Sequence, residues 1–200
     1  MKRVGTVVAV LAALVLTGCT SQAQEPPGLT ASPTSVATSA PTPSETVPAS
    51  QTPDPSDPEL GIVFEDVPDL TGDEADVWNT AATYRVEYWR TMTTNTVSPG
   101  FGAIAFGDTL EVMENIAATN AGISAQIGGT FRTRVFDVTI TGDEASAMAC
   151  DMYADVTFAS VEGPATPQEA GFGENRLLRL PMKRIDDRWL IGPSTREGTC

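Results

Sequence analysis

The fold turns on residues 130–158, TFRTRVFDVTIT followed by Gly142-Asp143 and then EASAMACDMYADVTF. The first run is rich in β-branched residues, and Phe136, Val138 and Ile140 alternate onto one face, which predicts a strand. Gly142-Asp143 predicts a tight turn. After it Ser146, Met148, Cys150, Met152, Ala154, Val156 and Phe158 alternate, predicting a long second strand with this set inward. On that parity Asp151, Tyr153 and Asp155 face solvent.

Toward the C-terminus, Gly163-Pro164, Pro167, Gly171 and Gly173 make residues 159–173 a connecting loop. Residues 176–185 predict a third strand, with Leu178, Leu180 and Met182 on one face. Pro181 has no amide hydrogen, so an edge position or a bulge is expected there. Asp186-Asp187 turns the chain into a short last strand at 189–191. Toward the N-terminus, Thr71-Gly72-Asp73-Glu74 has the spacing of a capping box. Ala75, Trp78, Ala81, Tyr88, Trp89 and Met92 follow at helical spacing to about Thr93, with Arg85 interrupting the stripe, its stem packed and its head in water. A second capping pattern, Asp108-Thr109-Leu110-Glu111, opens a shorter helix with Leu110, Met113, Ile116 and Asn120 on one face. Two helices followed by an antiparallel meander make an α+β domain.

That domain occupies residues 59–200, which hold every aromatic residue of the chain. Residues 20–58 contain nine Pro and 14 Ser or Thr, and their only large aliphatics are Leu29, Val36 and Val47. Such a segment cannot offset about 1–2 kcal/mol of backbone entropy per residue, so a disordered tether is expected over 19–58. Residues 1–18 have the form of a signal peptide, a basic Met1-Lys2-Arg3 and then the charge-free Val4 to Leu16. That apolar run is shorter than the roughly 20 residues of a spanning helix. Leu16-Thr17-Gly18-Cys19 closes it and resembles the lipobox of bacterial lipoproteins. The resemblance implies cleavage before Cys19, lipidation of its thiol, and a place on the extracytoplasmic face of the cell membrane.

Composition excludes several functions. With 26 acidic against 12 basic side chains the formal charge is −14, which rules against nucleic acid as a partner. Histidine is absent, removing the commonest general base and the commonest metal ligand. The acids Glu65, Asp66, Asp69, Asp73, Glu74 and Asp76 lack the spacing of a calcium loop. Three of them fall in a helix's first turn, where the macrodipole favours them. No metal or cofactor is expected.

Tyr84-x-x-x-Tyr88-Trp89-Arg90 on the first helix, Gly128-Gly129 entering the sheet and Ala149-Cys150-Asp151 in the central strand resemble exported actinobacterial-type lipoproteins of unknown function. Many of these are considered similar to the NTF2-like fold, which includes SnoaL-like and ketosteroid isomerase-like enzymes beside non-catalytic modules. The resemblance implies a curved antiparallel sheet wrapped around helices as a cone, with an internal pocket. A pocket enzyme of isomerase or dehydratase type would need a buried carboxylate base, for which Asp137 in the most apolar strand is the first candidate and Asp151 the second. The favoured expectation is non-catalytic: a lipid-anchored domain that binds an envelope protein or a small apolar ligand, with the membrane held through Cys19. Trp78, Trp89 and Trp189 are at core spacing, and Phe101 and Phe172 are placed to plug the sheet's open end. The remaining cysteines, Cys150 and Cys200, form an even pair in an oxidising compartment, so a disulfide is expected to pin an otherwise unordered tail.

Overall fold

The computed structural model describes residues 50–200. Residues 1–18, expected as a signal peptide, Cys19, and the expected tether as far as residue 49 lie outside the described residues. The elements run β1 (Ile62–Phe64), α1 (Asp73–Thr94), α2 (Thr109–Gly122), β2 (Gln126–Thr141), β3 (Glu144–Ser160), β4 (Gly163–Ala165), β5 (Arg176–Ile185), β6 (Arg188–Ile191) and β7 (Thr195–Gly198). The fold is α+β: a curled seven-stranded sheet in the order β1-β2-β3-β5-β6, with β4 added to β3 and β7 to β5. It is mixed where an antiparallel sheet was expected, because β1 pairs parallel to β2. Three residues give too short a periodic signal for β1 to be read from sequence. Among the described residues no helix is long and apolar enough to cross a membrane.

Helix α1 is almost engulfed, and its aromatic side chains bridge helix and sheet. Trp78 and Trp89 are fully buried, Trp189 nearly so. Trp78 Nε1 donates to the Val135 carbonyl at 3.0 Å and Trp89 Nε1 to the Leu60 carbonyl at 2.9 Å. The ring of Trp89 stacks on Phe131 at 5.0 Å. The expected capping box does not form: the N-cap is Gly72, with φ 63° and no side-chain bond. Asp73, Glu74 and Asp76 occupy the first turn instead and complement its exposed amides electrostatically. At the other end Asn95 takes the left-handed conformation that closes many helices, and its side chain donates to the Ala125 carbonyl.

Two bulges set which side chains of β2 and β3 face the helices. Thr130 pairs with Asp155 and Arg132 with Met152, so Tyr153 and Ala154 together oppose Phe131. Phe136 pairs with Met148 and Thr139 with Ser146, so Asp137 and Val138 oppose Ala147. An extra residue reverses the in-out alternation beyond it. In β3 the inward-facing set is therefore Ala147, Ala149, Asp151 and Tyr153, then Val156 and Phe158, while Cys150 is buried on the outer face, where it bonds Cys200. This corrects the uninterrupted alternation expected from sequence, which put Asp151 and Tyr153 in water and Cys150 inward with Met148 and Met152. In β2 Phe131, Thr133 and Val135 point inward, and Val138 and Ile140 return to the core after the bulge, so Phe136 does not share their face. Gly129 stands beside the first bulge at φ 80°, where an added Cβ would collide with the Asp155 carbonyl oxygen.

Pro181 lies on an interior strand rather than an edge, since β5 has β3 on one side and β6 and β7 on the other. Its carbonyl accepts from the Gly192 amide, in the gap between β6 and β7. The amide hydrogen that proline lacks falls at that gap. The C-terminal tail is itself a strand: β7 pairs with β5 from Leu177 to Arg179. Cys150 and Cys200 are at bonding distance, with sulfurs 2.07 Å apart. The 159–173 segment holds the short strand β4. Phe172 stacks on Phe158 at 4.9 Å, and Phe101 is buried against Tyr84.

Residues 50–58, grouped by composition with the tether, lie along the domain. The Gly72 amide donates to the Ser50 carbonyl, Asn79 Nδ2 to the Gln51 carbonyl, and the Phe64 amide to Ser56 Oγ, each at 2.9 Å. Asp57 closes a turn by accepting from the amides of Gly61 and Ile62.

Candidate functional site

Helix α1 lies over the curled sheet, and one end of their contact is left open. The opening is a cavity of about 550 Å³ between α1, α2, the middle of β3 and the start of β5. Met92, Ile116, Phe172 and Leu178 give it apolar walls; Tyr88, Tyr153, Arg85, Asp151 and Arg176 give it a polar floor and side.

Asp151 is at the floor, fully buried. Arg85 forms an ion pair with Asp151 Oδ2 and is only 1% exposed. The Thr133 hydroxyl donates to Oδ1 at 2.9 Å, and the Tyr153 hydroxyl donates to Oδ2 at 3.3 Å. The Tyr88 hydroxyl is 3.2 Å from that of Tyr153, extending the chain toward the cavity. The Arg85 guanidinium also lies over the Tyr88 ring, 4.3 Å from its centre. Its Nε is buried without a hydrogen-bond partner among the described residues.

Burial dominates the electrostatics. It pushes the Asp151 carboxyl up from its ordinary value, against the pull of Arg85, Thr133 and Tyr153. It is also the largest influence on Arg85, working against its charge, but Asp151 together with Tyr153, Tyr84 and Tyr88 outweighs it and the guanidinium is held more firmly protonated. Burial also raises Tyr88 and raises Tyr153 well above the usual phenol value, so both are neutral donors at physiological pH. At the side of the cavity Arg176 lies 4.0 Å over the centre of the Phe172 ring and donates to the Gly171 carbonyl. No carboxylate pairs with it among the described residues.

The two sequence candidates separate. Asp137 is exposed, in the left-handed conformation at φ 50°, and serves the second bulge of β2. That corrects its expected place as the buried acid: its apolar strand neighbours belong to two faces switched by the bulge. Asp151 takes the buried place. Asp155 is on the surface, 3.3 Å from Arg132. Cys150 is in the same strand as Asp151 but on the outer face, paired with Cys200. Cys19 lies outside the described residues.

Arg85, Thr133 and Arg176 were missed as site residues. Arg85 did carry a signal, a guanidinium inside an otherwise apolar helical stripe. Its head is enclosed rather than in water, and an enclosed cation requires an acid on the facing sheet.

No family model matches the chain, and no curated protein matches it. Among solved structures it is similar to the intermembrane space region of the chloroplast protein ARC6, with 16% identity over 60% of this chain and 95% of that one, at a TM-score of 0.44. Rv3472, a function unknown protein from Mycobacterium tuberculosis, is 14% identical over 60% of this chain and 69% of that one, TM-score 0.39. A de novo designed beta sheet protein is 14% identical over 62% of this chain and 91% of that one, TM-score 0.36.

Proposed function

We propose that this chain is a lipid-anchored extracytoplasmic binding protein whose NTF2-like cone holds a small, largely apolar ligand without acting on it chemically. One observation carries the reading: an aromatic- and aliphatic-walled cavity of about 550 Å³ whose only acid among the described residues is already engaged by three donors. Small-molecule sites span about 300–1,000 Å³ and are mostly apolar with a few convergent polar groups. The lipobox-like Leu16-Thr17-Gly18-Cys19 supports the anchor. Mass spectrometry of the mature protein tests it: Cys19 should be the N-terminal residue and carry a diacylglyceryl mass, and an unmodified Cys19 removes the anchor.

The pocket is tested with N-phenyl-1-naphthylamine, a neutral apolar fluorophore. It should bind the full chain saturably at one per molecule, and Ile116→Trp, which fills the apolar wall, should weaken binding at least tenfold. Absence of saturable binding would sink the pocket reading. A second reading, an isomerase or dehydratase using Asp151, is favoured by the carboxyl's raised pKa beside two neutral phenols. Against it, a carboxylate pinned by a guanidinium and two hydroxyls is poorly placed to take a proton from a substrate.

A further inference from the structure

We propose that the cavity's ligand is an amphipathic monoanion, its charged head held by Arg176 and Arg85 and its apolar tail against Met92, Ile116 and Leu178. This rests on the binding-pocket reading and names the chemistry of its ligand. Two arginines and one aspartate are the charged residues of the lining, so the cavity is cationic by one charge inside a chain of net charge −14. The electrostatics of the whole chain repel anions, so a cationic pocket within it is a local arrangement rather than a general surface property. Asp151 consumes the charge of Arg85 but leaves its buried Nε–H without an acceptor. A buried donor left unpaired is destabilising, and an acceptor in the cavity that reaches it removes that loss. Arg176 has no carboxylate partner among the described residues and stacks on Phe172, an arrangement that fixes the guanidinium plane at the cavity wall. A planar fork of donors suits a carboxylate or a comparable oxyanion. The neutral hydroxyls of Tyr88 and Tyr153 add donors, and the helix side of the cavity, where Asn115, Thr119 and Asn120 stand beside Met92, Val112 and Ile116, carries no second cation. A cationic head would meet two guanidinium groups and is disfavoured.

Calorimetric titration of the purified, detergent-free full chain with octanoate, octanol and octylammonium tests the head group at constant tail. Octanoate should bind at least tenfold more tightly than octanol, and octylammonium more weakly than both. Arg176→Gln should bring octanoate to within about threefold of octanol while octanol affinity is retained, which also shows that the variant is folded; Arg176→Lys should keep a preference for octanoate. Octanol binding as tightly as octanoate to the unaltered chain, or an octanoate preference that survives in Arg176→Gln, would overturn the anion assignment and leave the pocket reading standing. Failure of all three probes to bind would overturn both.

Discussion

Cys150 and Asp151 are consecutive residues of β3 that tie opposite faces of the sheet to different elements: Cys150 is bonded to Cys200 beyond β7, and Asp151 to Arg85 of α1. The pleat alone sends adjacent side chains to opposite sides. At this one point the outer strand, the sheet and the buried helix are linked through side chains. The cavity opens at the same level of the fold, so its polar floor is tied to α1 on the inner face of the sheet and to the disulfide on the outer one.

The disulfide's contribution follows from the chain it closes. The two cysteines are 50 residues apart, and closing such a loop in the unfolded chain is worth about 4 kcal/mol. Cys200→Ser should lower unfolding free energy by up to that amount, measured in urea at equal pH. Pairing of β7 with β5 should survive in part, and an unchanged midpoint would mean that the bond contributes nothing in solution.

The ion pair should show strong non-additivity. Arg85→Met leaves a buried carboxyl without its cation, at a cost of about 3–5 kcal/mol. Arg85→Met combined with Asp151→Val removes both charges and should recover at least half of that loss, because a buried pair gains little over an apolar one. Thr133 and Tyr153 lose their acceptor in the double variant, which keeps recovery incomplete. Additive losses in denaturant unfolding would mean that Arg85 and Asp151 do not act as a pair.

The strands around Gly142-Asp143, both helices and the C-terminal turn at Asp186-Asp187 were legible, because their periodicity and turn residues are local signals. The side of the sheet on which Asp151 falls was not. It depends on the number of residues between paired positions in two strands, and neither strand carries that number by itself. Gly128-Gly129 marked the neighbourhood of one bulge without saying that the extra residue lies in β3. The candidate site was half legible: the aspartate was named, but its face was inverted and its arginine placed in water.

The bulges give a paired test. Gly129→Ala places a Cβ at φ 80° against the Asp155 carbonyl and should cost about 1–3 kcal/mol. Asp137→Ala keeps a left-handed conformation without Cβ collision in the core and should cost about 1–2 kcal/mol. Asp137→Ala should also leave probe binding unchanged, since Asp137 is exposed and is not in the cavity lining. Loss of binding in that variant would restore Asp137 as a functional residue.

Residues 50–58 should matter for stability despite a composition typical of a linker. A chain beginning at Glu59 loses the bonds from Gly72, Asn79 and Phe64 to this segment and the turn closed by Asp57. Each hydrogen bond is worth about 0.5–1.5 kcal/mol net, and each kcal/mol moves the melting temperature about 2–4 °C in a domain of this size. Comparing chains that begin at Ser50 and Glu59 by calorimetry should show a lower melting temperature for the shorter one. Coincident transitions would make the segment a passenger.

Asp151 should leave its mark on the pH dependence of folding. Burial raises its carboxyl in the folded chain, while the unfolded chain keeps the ordinary value of about 3.9. Between those two values the folded state binds the proton more strongly, so this residue's contribution is fully present below the ordinary value and is lost as pH rises through the folded one. Arg85 stays charged, and Tyr88 and Tyr153 stay neutral across that range, so Asp151 is the member of the buried cluster that titrates there. Asp151→Asn removes the titration and leaves other carboxyls in place. The melting temperature of the unaltered chain relative to this variant should therefore fall with rising pH, measured from about pH 4 to about pH 8 in matched buffers. A relative stability that climbs with pH would mean that Arg85 outweighs burial and holds the carboxyl below its ordinary value.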